Sequence, residues 1–328
     1  MKHIDVVVVG GSLAGAACVR ELVRLGIDAV AFERDAFPRP KVCGGFLSPG
    51  AVDCLDRLGV LADLRLAGAV NVDRARIRSK GSELEIGFRE AGLGISRNTL
   101  DAILAKCPPV IPECAVRSVK SDDRGSGFVV DTKKSTVSCR IVIDAAGKLS
   151  RWTPRTAAAE FGVQFTQAGE RGSVMDFWFF EDGYGGAVSV EGGQSNFCFL
   201  IDKRELPRYA AKPGCLVTGP LAYDRTGGDY IAIGDAAGMI DPFCGEGMHH
   251  ALDSGMTAAR CVAAGLRLKK TYVEIRQSYE MESQRRWAGK RALAGLMRKA
   301  IHYPAAFRAG LRFDPHWFLD RLWARIPS

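Results

Sequence analysis

A glycine-rich turn, Gly10-Gly11-Ser12-Leu13-Ala14-Gly15, directly follows an apolar run near the N-terminus. A phosphate-binding turn needs a backbone without side chains in the way and a helix whose free N-terminal amides face the negative charge. Gly10 and Gly15 supply the tight turn and the close helix packing, while Ser12 stands at the middle glycine of the usual pattern. Glu33 ends the next apolar run, where an acid accepts hydrogen bonds from ribose hydroxyls. This spacing predicts a dinucleotide site.

Two further motifs carry polar and glycine residues at regular places. The first sets Arg97 and Asp101 four residues apart, ahead of an apolar run that enters Asp144-Ala145-Ala146-Gly147. The second is Tyr230–Met248, in which a short apolar run leads into Gly-Asp, then Pro and Gly-x-Gly, before a helical pattern. These features in one order are far more specific than a single glycine turn. The second of them is the strongest signal in the chain.

In this order the three motifs resemble those of the glutathione-reductase-type flavoproteins. The resemblance is to the branch that holds para-hydroxybenzoate-hydroxylase-like monooxygenases, flavin halogenases and geranylgeranyl reductases, and it covers most of residues 1–265. It implies FAD as cofactor and an FAD-dependent oxidoreductase. It also implies that Asp235 binds the ribityl chain and that Gly245, Gly247 and Met248 lie at the pyrimidine edge of the flavin. Negative charge develops on that edge when flavin is reduced, so a helix N-terminus there stabilises the reduced form.

The residues expected to bind FAD come from all three motifs and from the loop after the second strand. They are Gly10, Ser12, Leu13, Ala14, Gly15, Glu33, Arg34, Cys43, Gly44, Gly45, Arg97, Val116, Gly147, Asp235, Pro242, Gly245, Gly247 and Met248.

The segment Lys41–Ala51 closely resembles one that geranylgeranyl reductases carry after the second strand. The resemblance implies that Cys43–Gly45 lies beside the flavin, and it motivates a catalytic or substrate-contacting role for Cys43. The alternative is a small buried thiol, because free cysteine usually behaves as a small apolar residue. Cys244 lies in the other flavin loop and would place a second sulfur at the ring, although a buried thiol is the preferred interpretation there.

Several departures from the relatives' patterns narrow the reaction. Gly183–Val188 resembles the reductases' substrate-domain signature but lacks its aromatic residue and proline, and Tyr184 is interpreted as a plain strand-end aromatic. Ala146 replaces the Asp of the hydroxylases' Asp-Gly pair, and the halogenases' catalytic Lys segment and Trp-x-Trp-x-x-Pro motif are absent. Two reactions of a hydrophobic small molecule stay open. One is reduction of a carbon–carbon double bond, and the other is oxygenation of an aromatic or polyketide-like substrate through reduced flavin.

The elements that must position these residues predict an α/β (α+β) fold. A glutathione-reductase-type, Rossmann-like FAD domain is expected over residues 1–72, 96–160 and 222–280. An antiparallel β-sheet substrate domain, expected to form one wall of a pocket, is inserted at residues 73–95 and 161–221. Strand-like runs at Val174–Phe180, Gly186–Val190 and Phe197–Ile201, and a hairpin around Lys80-Gly81-Ser82, support it. A helical C-terminal region follows at residues 281–328.

Composition excludes several classes of protein. The 328 residues are 47% hydrophobic and 25% charged, ordinary globular values, and the net charge of +8 is spread without an aromatic-interleaved basic block, which argues against nucleic acid. No apolar run reaches about 18 residues, and the opening run is too short for a signal peptide, so a cytoplasmic protein is expected. The ten cysteines stand singly and are expected to be reduced, and no metal site is predicted.

The remaining predictions concern partners. An external electron donor, NADPH, NADH or ferredoxin, is expected, because no second GxGxxG marks a nicotinamide domain. His249-His250 are interpreted as helix surface or packing. The basic segment from Arg285 to Arg325 suggests an alternative of another class, a flavin-binding module with weak membrane-surface association, although a solvated charged helix bundle is the preferred interpretation.

Overall fold

A computed structural model describes residues 2–79, 82–106, 109–122, 127–152, 160–180, 183–221, 228–301 and Trp323. Lys80 and Gly81 of the expected hairpin, and residues 302–322 of the expected helical C-terminal region, lie outside the described residues. The described chain forms two β-sheets with helices packed around the first.

The helices are α1 (Leu13–Arg24), α2 (Pro49–Arg57), α3 (Leu61–Leu66), α4 (Arg97–Ala105), α5 (Leu206–Ala210), α6 (Gly247–Arg267) and α7 (Tyr272–Ile301). The strands of the first sheet are β1 (Lys2–Val9), β2 (Ala29–Phe32), β6 (Val110–Ile111), β7 (Val116–Ser121), β8 (Phe128–Thr132), β9 (Thr136–Asp144) and β15 (Ile231–Ala232). The strands of the second sheet are β3 (Phe46–Leu47), β4 (Val70–Ser79), β5 (Ser82–Gly94), β10 (Glu160–Ala168), β11 (Val174–Phe180), β12 (Gly183–Val190), β13 (Gln194–Asp202) and β14 (Leu216–Thr218).

The first sheet has the order β6-β2-β1-β9-β8-β7, and the short strand β15 pairs with the C-terminal end of β9. Its β1, β2, β6, β9 and β15 pair in parallel, whereas β7 and β8 form an antiparallel extension. The β-branched run Val6–Val9 is almost completely buried, as expected for a parallel strand covered on both faces. The carboxyl ends of β1, β9 and β15 therefore meet at one edge, where each is followed by a glycine-containing motif.

The second sheet is mainly antiparallel, as predicted, and has the order β14-β10-β13-β12-β11-β4-β5-β3. One neighbouring pair, β4 with β11, runs parallel. The strands of the predicted hairpin are β4 and β5, and their register shifts between Val72 and Arg74. The division into domains stays a prediction, with the short strand β3 paired to β5 in the second sheet.

Helices α1 and α6 pack closely on each other against the first sheet. A methyl group at Gly255 of α6 would lie 2.4 Å from the carbonyl oxygen of Ala14, so the two backbones touch. Helix α7 packs outside α6, and Tyr279 donates a 3.0 Å hydrogen bond to the carbonyl of Ala232 in β15. This arrangement confirms the helical C-terminal part as far as Ile301. No helix in the described ranges is long and apolar enough to cross a bilayer.

Candidate functional site

The turn after β1 leaves no room for side chains at two positions. Gly10 has φ +104°, and a Cβ there would lie 2.4 Å from the carbonyl oxygen of Ala145 at the end of β9. A Cβ on Gly15 would lie 1.8 Å from the carbonyl oxygen of Gly10, because the first turn of α1 presses on the turn itself. Both positions therefore require glycine, and the N-terminus of α1 is brought against the sheet edge.

Glu33 follows β2 and is 5% exposed. Its Oε2 accepts a 2.9 Å hydrogen bond from the Gly11 amide, and its Oε1 accepts one of 3.1 Å from the Asp35 amide. Arg39 approaches Oε2 at 3.5 Å, whereas Arg34 is exposed and pairs with Asp35. The carboxylate thus lies beside the glycine turn, where the sequence predicts a ribose ligand.

Arg97, at the start of α4, is buried and joins three segments. Its Nη2 donates to Asp101 Oδ2 at 2.8 Å and to Ser12 Oγ at 2.7 Å. Burial alone would lower the pKa of Arg97, but the carboxylate of Asp101 and the thiol of Cys43 outweigh it and hold that pKa above its ordinary value. Because Ser12 is engaged by Arg97, its side chain does not cap α1. The first amides of α1 are left for another acceptor.

A cavity of about 220 Å³ lies between the carboxyl edge of the first sheet and the second sheet. Its walls are mostly apolar, with Met175, Phe177, Leu200, Met239 and Ile240 among them. The predicted residues that line it are Ser12, Leu13, Ala14, Cys43, Gly44, Arg97, Gly147, Asp235, Pro242, Gly245, Gly247 and Met248. Those that do not line it are Gly10, Gly15, Glu33, Arg34, Gly45 and Val116.

Of the predicted residues outside the lining, Val116 packs near the end of β2. It belongs to a buried apolar cluster with Val9, Phe32 and Cys114, the last of which donates its amide to the Glu33 carbonyl at 2.7 Å. Gly45 is buried beneath the cavity wall. Val116 therefore lies near Glu33, at the end of the site away from the apolar walls.

Two lysines, Lys41 and Lys148, lie in the cavity wall, where burial disfavours their charged form. Burial and, to a smaller extent, nearby Arg97 lower the pKa of Lys41 to about 8, against the opposing effect of Asp235. Burial likewise lowers the pKa of Lys148, with Asp235 opposing it. Sequence patterns do not single out either lysine, because their burial in the cavity wall becomes visible only in the folded structure. Together with Arg97 they make this part of the cavity suitable for an anion.

The backbone around Cys43 is held by two amide side chains of the second sheet. The Cys43 amide donates to Gln164 Oε1 at 2.9 Å, and Asn196 Nδ2 donates to the carbonyls of Cys43 and Gly44 at 3.0 and 2.8 Å. Gln164 Nε2 in turn donates to Asn196 Oδ1 at 2.6 Å. The reductase-like segment is therefore fixed against the cavity by residues far away in sequence.

The second sulfur at the cavity is Cys198. It lines the cavity with Cys43, and burial raises its pKa to about 12. Cys244 is completely buried and is not part of the lining, so the preferred interpretation of Cys244 as a buried thiol is confirmed. Sequence reasoning missed Cys198 because a cysteine in the middle of a strand carries no motif.

Tyr184 also differs from its interpretation as a plain aromatic. It lines the cavity, and its hydroxyl donates a 2.6 Å hydrogen bond to Asp241 Oδ1 while accepting one of 3.0 Å from the Phe243 amide. The interpretation was wrong because the partner lies 57 residues further along the chain, in the loop before α6. A strand pattern alone does not reveal such a partner.

The N-terminus of α6 opens onto the same cavity through Gly245, Gly247 and Met248. No side chain caps this helix. His249 and His250 of its first turns are buried, which confirms packing and excludes helix surface for both. No group of three His, Cys, Asp or Glu side chains suited to a metal ion occurs in the part of the chain that the structure describes.

Helix α7 departs from the solvated charged helix that the sequence suggests. Arg286 and Lys290 are 9% and 8% exposed and pair with the buried acids Asp253 and Glu246 of α6. The expectation was wrong for these cations because periodicity shows which face of a helix is basic but not that a buried acid faces it. They are held inside the protein instead of being presented to a membrane surface.

These features fit FAD. Two uncapped helix N-termini, of α1 and α6, face one cavity, and each suits a negatively charged or electron-rich group. A Cβ added at Gly44 or Gly247 would meet nothing within 4 Å, so both backbones are open to a ligand. The cavity is cationic near Lys41 and Arg97 and apolar at the second sheet, which matches a molecule with a pyrophosphate and a flat apolar ring.

Comparison with known proteins agrees. The sequence model of the FAD binding domain family matches residues 3–181, more than half of the chain, and the chain belongs to this family. It is an FAD-dependent oxidoreductase with FAD as its cofactor.

Curated relatives cover most of the chain. A menaquinone reductase of Mycolicibacterium smegmatis is 26% identical over 329 aligned positions. The alignment covers 80% of this chain and 76% of the relative. A digeranylgeranylglycerophospholipid reductase of Thermoplasma acidophilum is 25% identical over 358 aligned positions. This alignment covers 90% of this chain and 89% of the relative.

Solved structures share the fold at lower identity. The flavin-dependent brominase Bmp2 superposes with a TM-score of 0.82 at 17% identity, covering 99% of this chain and 95% of Bmp2. PqsL of Pseudomonas aeruginosa, described as a probable FAD-dependent monooxygenase, has a TM-score of 0.76 at 16% identity, covering 92% of this chain and 97% of PqsL. These likenesses establish the fold alone.

Proposed function

We propose that the protein is an FAD-dependent reductase that reduces a carbon–carbon double bond of a hydrophobic small molecule. The observation that carries this proposal is the apolar cavity wall next to Cys43 and Gly44, which belong to the segment that resembles one in geranylgeranyl reductases. The relatives that cover 80% and 90% of the chain are named as reductases, one of a quinone and one of a geranylgeranyl lipid. A prenylated, largely apolar substrate is therefore the class that we expect.

The residues that would hold FAD follow the glutathione-reductase-type pattern. The first amides of α1 would bind the pyrophosphate with Lys41, and Glu33 would bind the ribose. Asp235 would bind the ribityl chain, and the N-terminus of α6 would face the pyrimidine edge. When bound and reduced by the external donor, FAD would supply a hydride, that is, one hydrogen together with the electron pair that the double bond takes up.

The protein must also supply a proton, because a double bond that gains an electron pair gains two hydrogens in total. We assign this role to Nζ of Lys148, whose pKa burial lowers, which favours release of its proton at the cavity wall. Solvent then reprotonates Lys148. The apolar residues Met175, Phe177 and Leu200 hold the substrate and exclude water. Cys43, at the same wall, contacts the substrate or assists the chemistry.

Oxygenation through reduced flavin is the second candidate. It is the activity stated for PqsL, a probable FAD-dependent monooxygenase that superposes on 92% of this chain, although a likeness at 16% identity shows the fold alone. The monooxygenase needs oxygen to form its product, whereas the reductase forms its product without oxygen.

The deciding experiment uses purified protein with bound FAD that dithionite has reduced anaerobically. In parallel samples, NADH, NADPH and ferredoxin are compared as electron donors in place of dithionite. A geranylgeranyl phospholipid and menaquinone in detergent serve as substrates. The proposal expects, without oxygen, a product whose isoprenoid chain is two hydrogens heavier by mass-spectrometric fragmentation, because reduction of the quinone ring alone also adds two hydrogens. Product that forms only with oxygen, with one oxygen atom incorporated, would establish the monooxygenase instead. Absence of product from both lipids under both conditions would reject a prenyl-lipid reductase.

A further inference from the structure

Three polar contacts join the C-terminal part of the chain to Asp241–Gly247, which we call the flavin loop. Arg298 Nη1 donates to Asp241 Oδ2 at 3.1 Å, and Trp323 Nε1 donates to the Cys244 carbonyl at 2.9 Å. Lys290 Nζ donates to Glu246 Oε2 at 2.6 Å. The sequence predicted the loop as part of the site, but not that helix α7 and Trp323 would contact it.

The Lys290–Glu246 pair lies immediately beside the N-terminus of α6. Glu246 precedes the first residue of this helix and is completely buried, and Lys290 is 8% exposed. Burial would raise the pKa of Glu246, but His249 and Lys290 outweigh burial and hold that pKa below its ordinary value. A full negative charge therefore sits at the helix end that the proposed cofactor placement puts at the flavin. Lys290 balances it from α7, and His249 Nδ1 lies 2.7 Å from the same Glu246 oxygen within α6.

The position of Lys290 is imposed by the packing of α6 on α7. One turn before Lys290, Arg286 Nη2 donates to Asp253 Oδ1 at 2.6 Å, and Trp287 Nε1 donates to Asp253 Oδ2 at 2.7 Å. The Trp287 ring packs edge-on against His249, with ring centroids 5.0 Å apart. These contacts fix the register of the two helices, so that the ammonium of Lys290 reaches the carboxylate of Glu246.

We infer that Lys290 and Glu246 form a positioning pair through which α7 tunes the reduction potential of bound FAD. A helix N-terminus carries about half a positive charge, which favours the reduced, negatively charged flavin. An unbalanced carboxylate at Glu246 would cancel that effect, and the ammonium of Lys290 prevents it. The inference rests on the proposed placement of the flavin at α6, not on the identity of the substrate.

The test compares Lys290→Met, Glu246→Gln with Lys290→Met, Lys290→Arg, and the exposed control Lys270→Met. The midpoint potential of bound flavin is measured against indicator dyes, with no substrate present, so failure of the reductase proposal does not affect the readout. Lys290→Met is expected to lower the potential. The double variant is expected to recover most of the wild-type value, because it removes both charges, and Lys290→Arg and Lys270→Met are expected to stay near wild type.

A wild-type potential in Lys290→Met with FAD bound would overturn the inference. The same lowered potential in the double variant would also overturn it, since the effect would then not depend on charge. If Lys290→Met loses FAD altogether, the inference requires that the double variant regain stoichiometric FAD, and failure to regain it rejects the pair.

Discussion

The hydroxyl of Tyr184, in the second sheet, donates a 2.6 Å hydrogen bond to Asp241 Oδ1, in the loop before α6. The same hydroxyl accepts a hydrogen bond from the Phe243 amide, and Asp241 also accepts from that amide at 3.0 Å. One buried triangle thus joins the second sheet to the loop before α6.

Substitution Tyr184→Phe is expected to destabilise the protein by about 1–3 kcal/mol, because the Asp241 carboxylate and the Phe243 amide lose a buried partner. Unfolding by urea, followed by flavin fluorescence and circular dichroism, measures this loss. Tyr209→Phe, which removes a hydroxyl from a half-buried tyrosine of α5, is the matched control. Equal stability of Tyr184→Phe and wild type would show that the triangle contributes nothing.

Substitution Gly15→Ala is expected to abolish FAD binding or to prevent folding. Its Cβ would lie 1.8 Å from the Gly10 carbonyl oxygen, so α1 must move away from the turn that we propose to bind the pyrophosphate. Gly289→Ala in α7 is the control, since a Cβ there meets nothing within 4 Å and alanine favours a helix by up to about 1 kcal/mol. The ratio of FAD to protein after gel filtration gives the answer. A full complement of FAD in Gly15→Ala would contradict the steric argument.

Sequence reasoning reaches the first sheet and its turns because local patterns encode them. Val6–Val9 reads as a buried parallel strand from its β-branched residues alone, and the glycine after it marks the turn. The second-sheet strand Val174–Phe180 matches its predicted bounds because aromatic residues between turns also favour a strand.

The contacts that complete the site are beyond that reach. Lys290 and Glu246 are 44 residues apart on different helices, and Asn196 meets the Cys43 carbonyl across 153 residues. Each pair depends on how whole elements dock, and a single sequence contains no periodicity that reports docking. Sequence patterns therefore indicated loops that line the cavity, but not the side chains that hold those loops in place.

FAD affinity is expected to fall as pH rises through about 8 in the apoprotein. The pKa of Lys41 is lowered to about 8, and a bound pyrophosphate favours the charged ammonium. Binding is therefore tightest below pH 8, where Lys41 is already protonated, and the dissociation constant should rise by up to about tenfold per pH unit above it. Fluorescence titration of apoprotein with FAD between pH 6 and about 9.5 measures the slope.

The Lys41→Gln variant is the control for this slope. It should bind FAD more weakly at pH 7 and show no such rise above pH 8. An identical slope in Lys41→Gln would assign the titration to another group.

Substitution Cys43→Ser is expected to lower turnover at least about tenfold while FAD remains bound, if the thiol takes part at the cavity wall. Cys198→Ser is the matched control, a second cavity thiol whose raised pKa makes a thiolate unfavourable. Steady-state rates and flavin absorbance are measured on both. Unchanged turnover in Cys43→Ser would leave Cys43 as a small apolar contact.

The last prediction concerns the proton that Lys148 is proposed to supply. Because only the ammonium form can donate, kcat is expected to fall as pH rises through the pKa of Lys148, which burial places below its ordinary value. Lys148→Met should lose about 10²–10⁴-fold in kcat, the usual range for a general acid, and should lack the alkaline fall. Its flavin spectrum should stay intact, and the exposed Lys203→Met should keep the wild-type profile. An alkaline limb that persists unchanged in Lys148→Met would move the proton donation to another residue, and Lys41 is then the next cavity cation to examine.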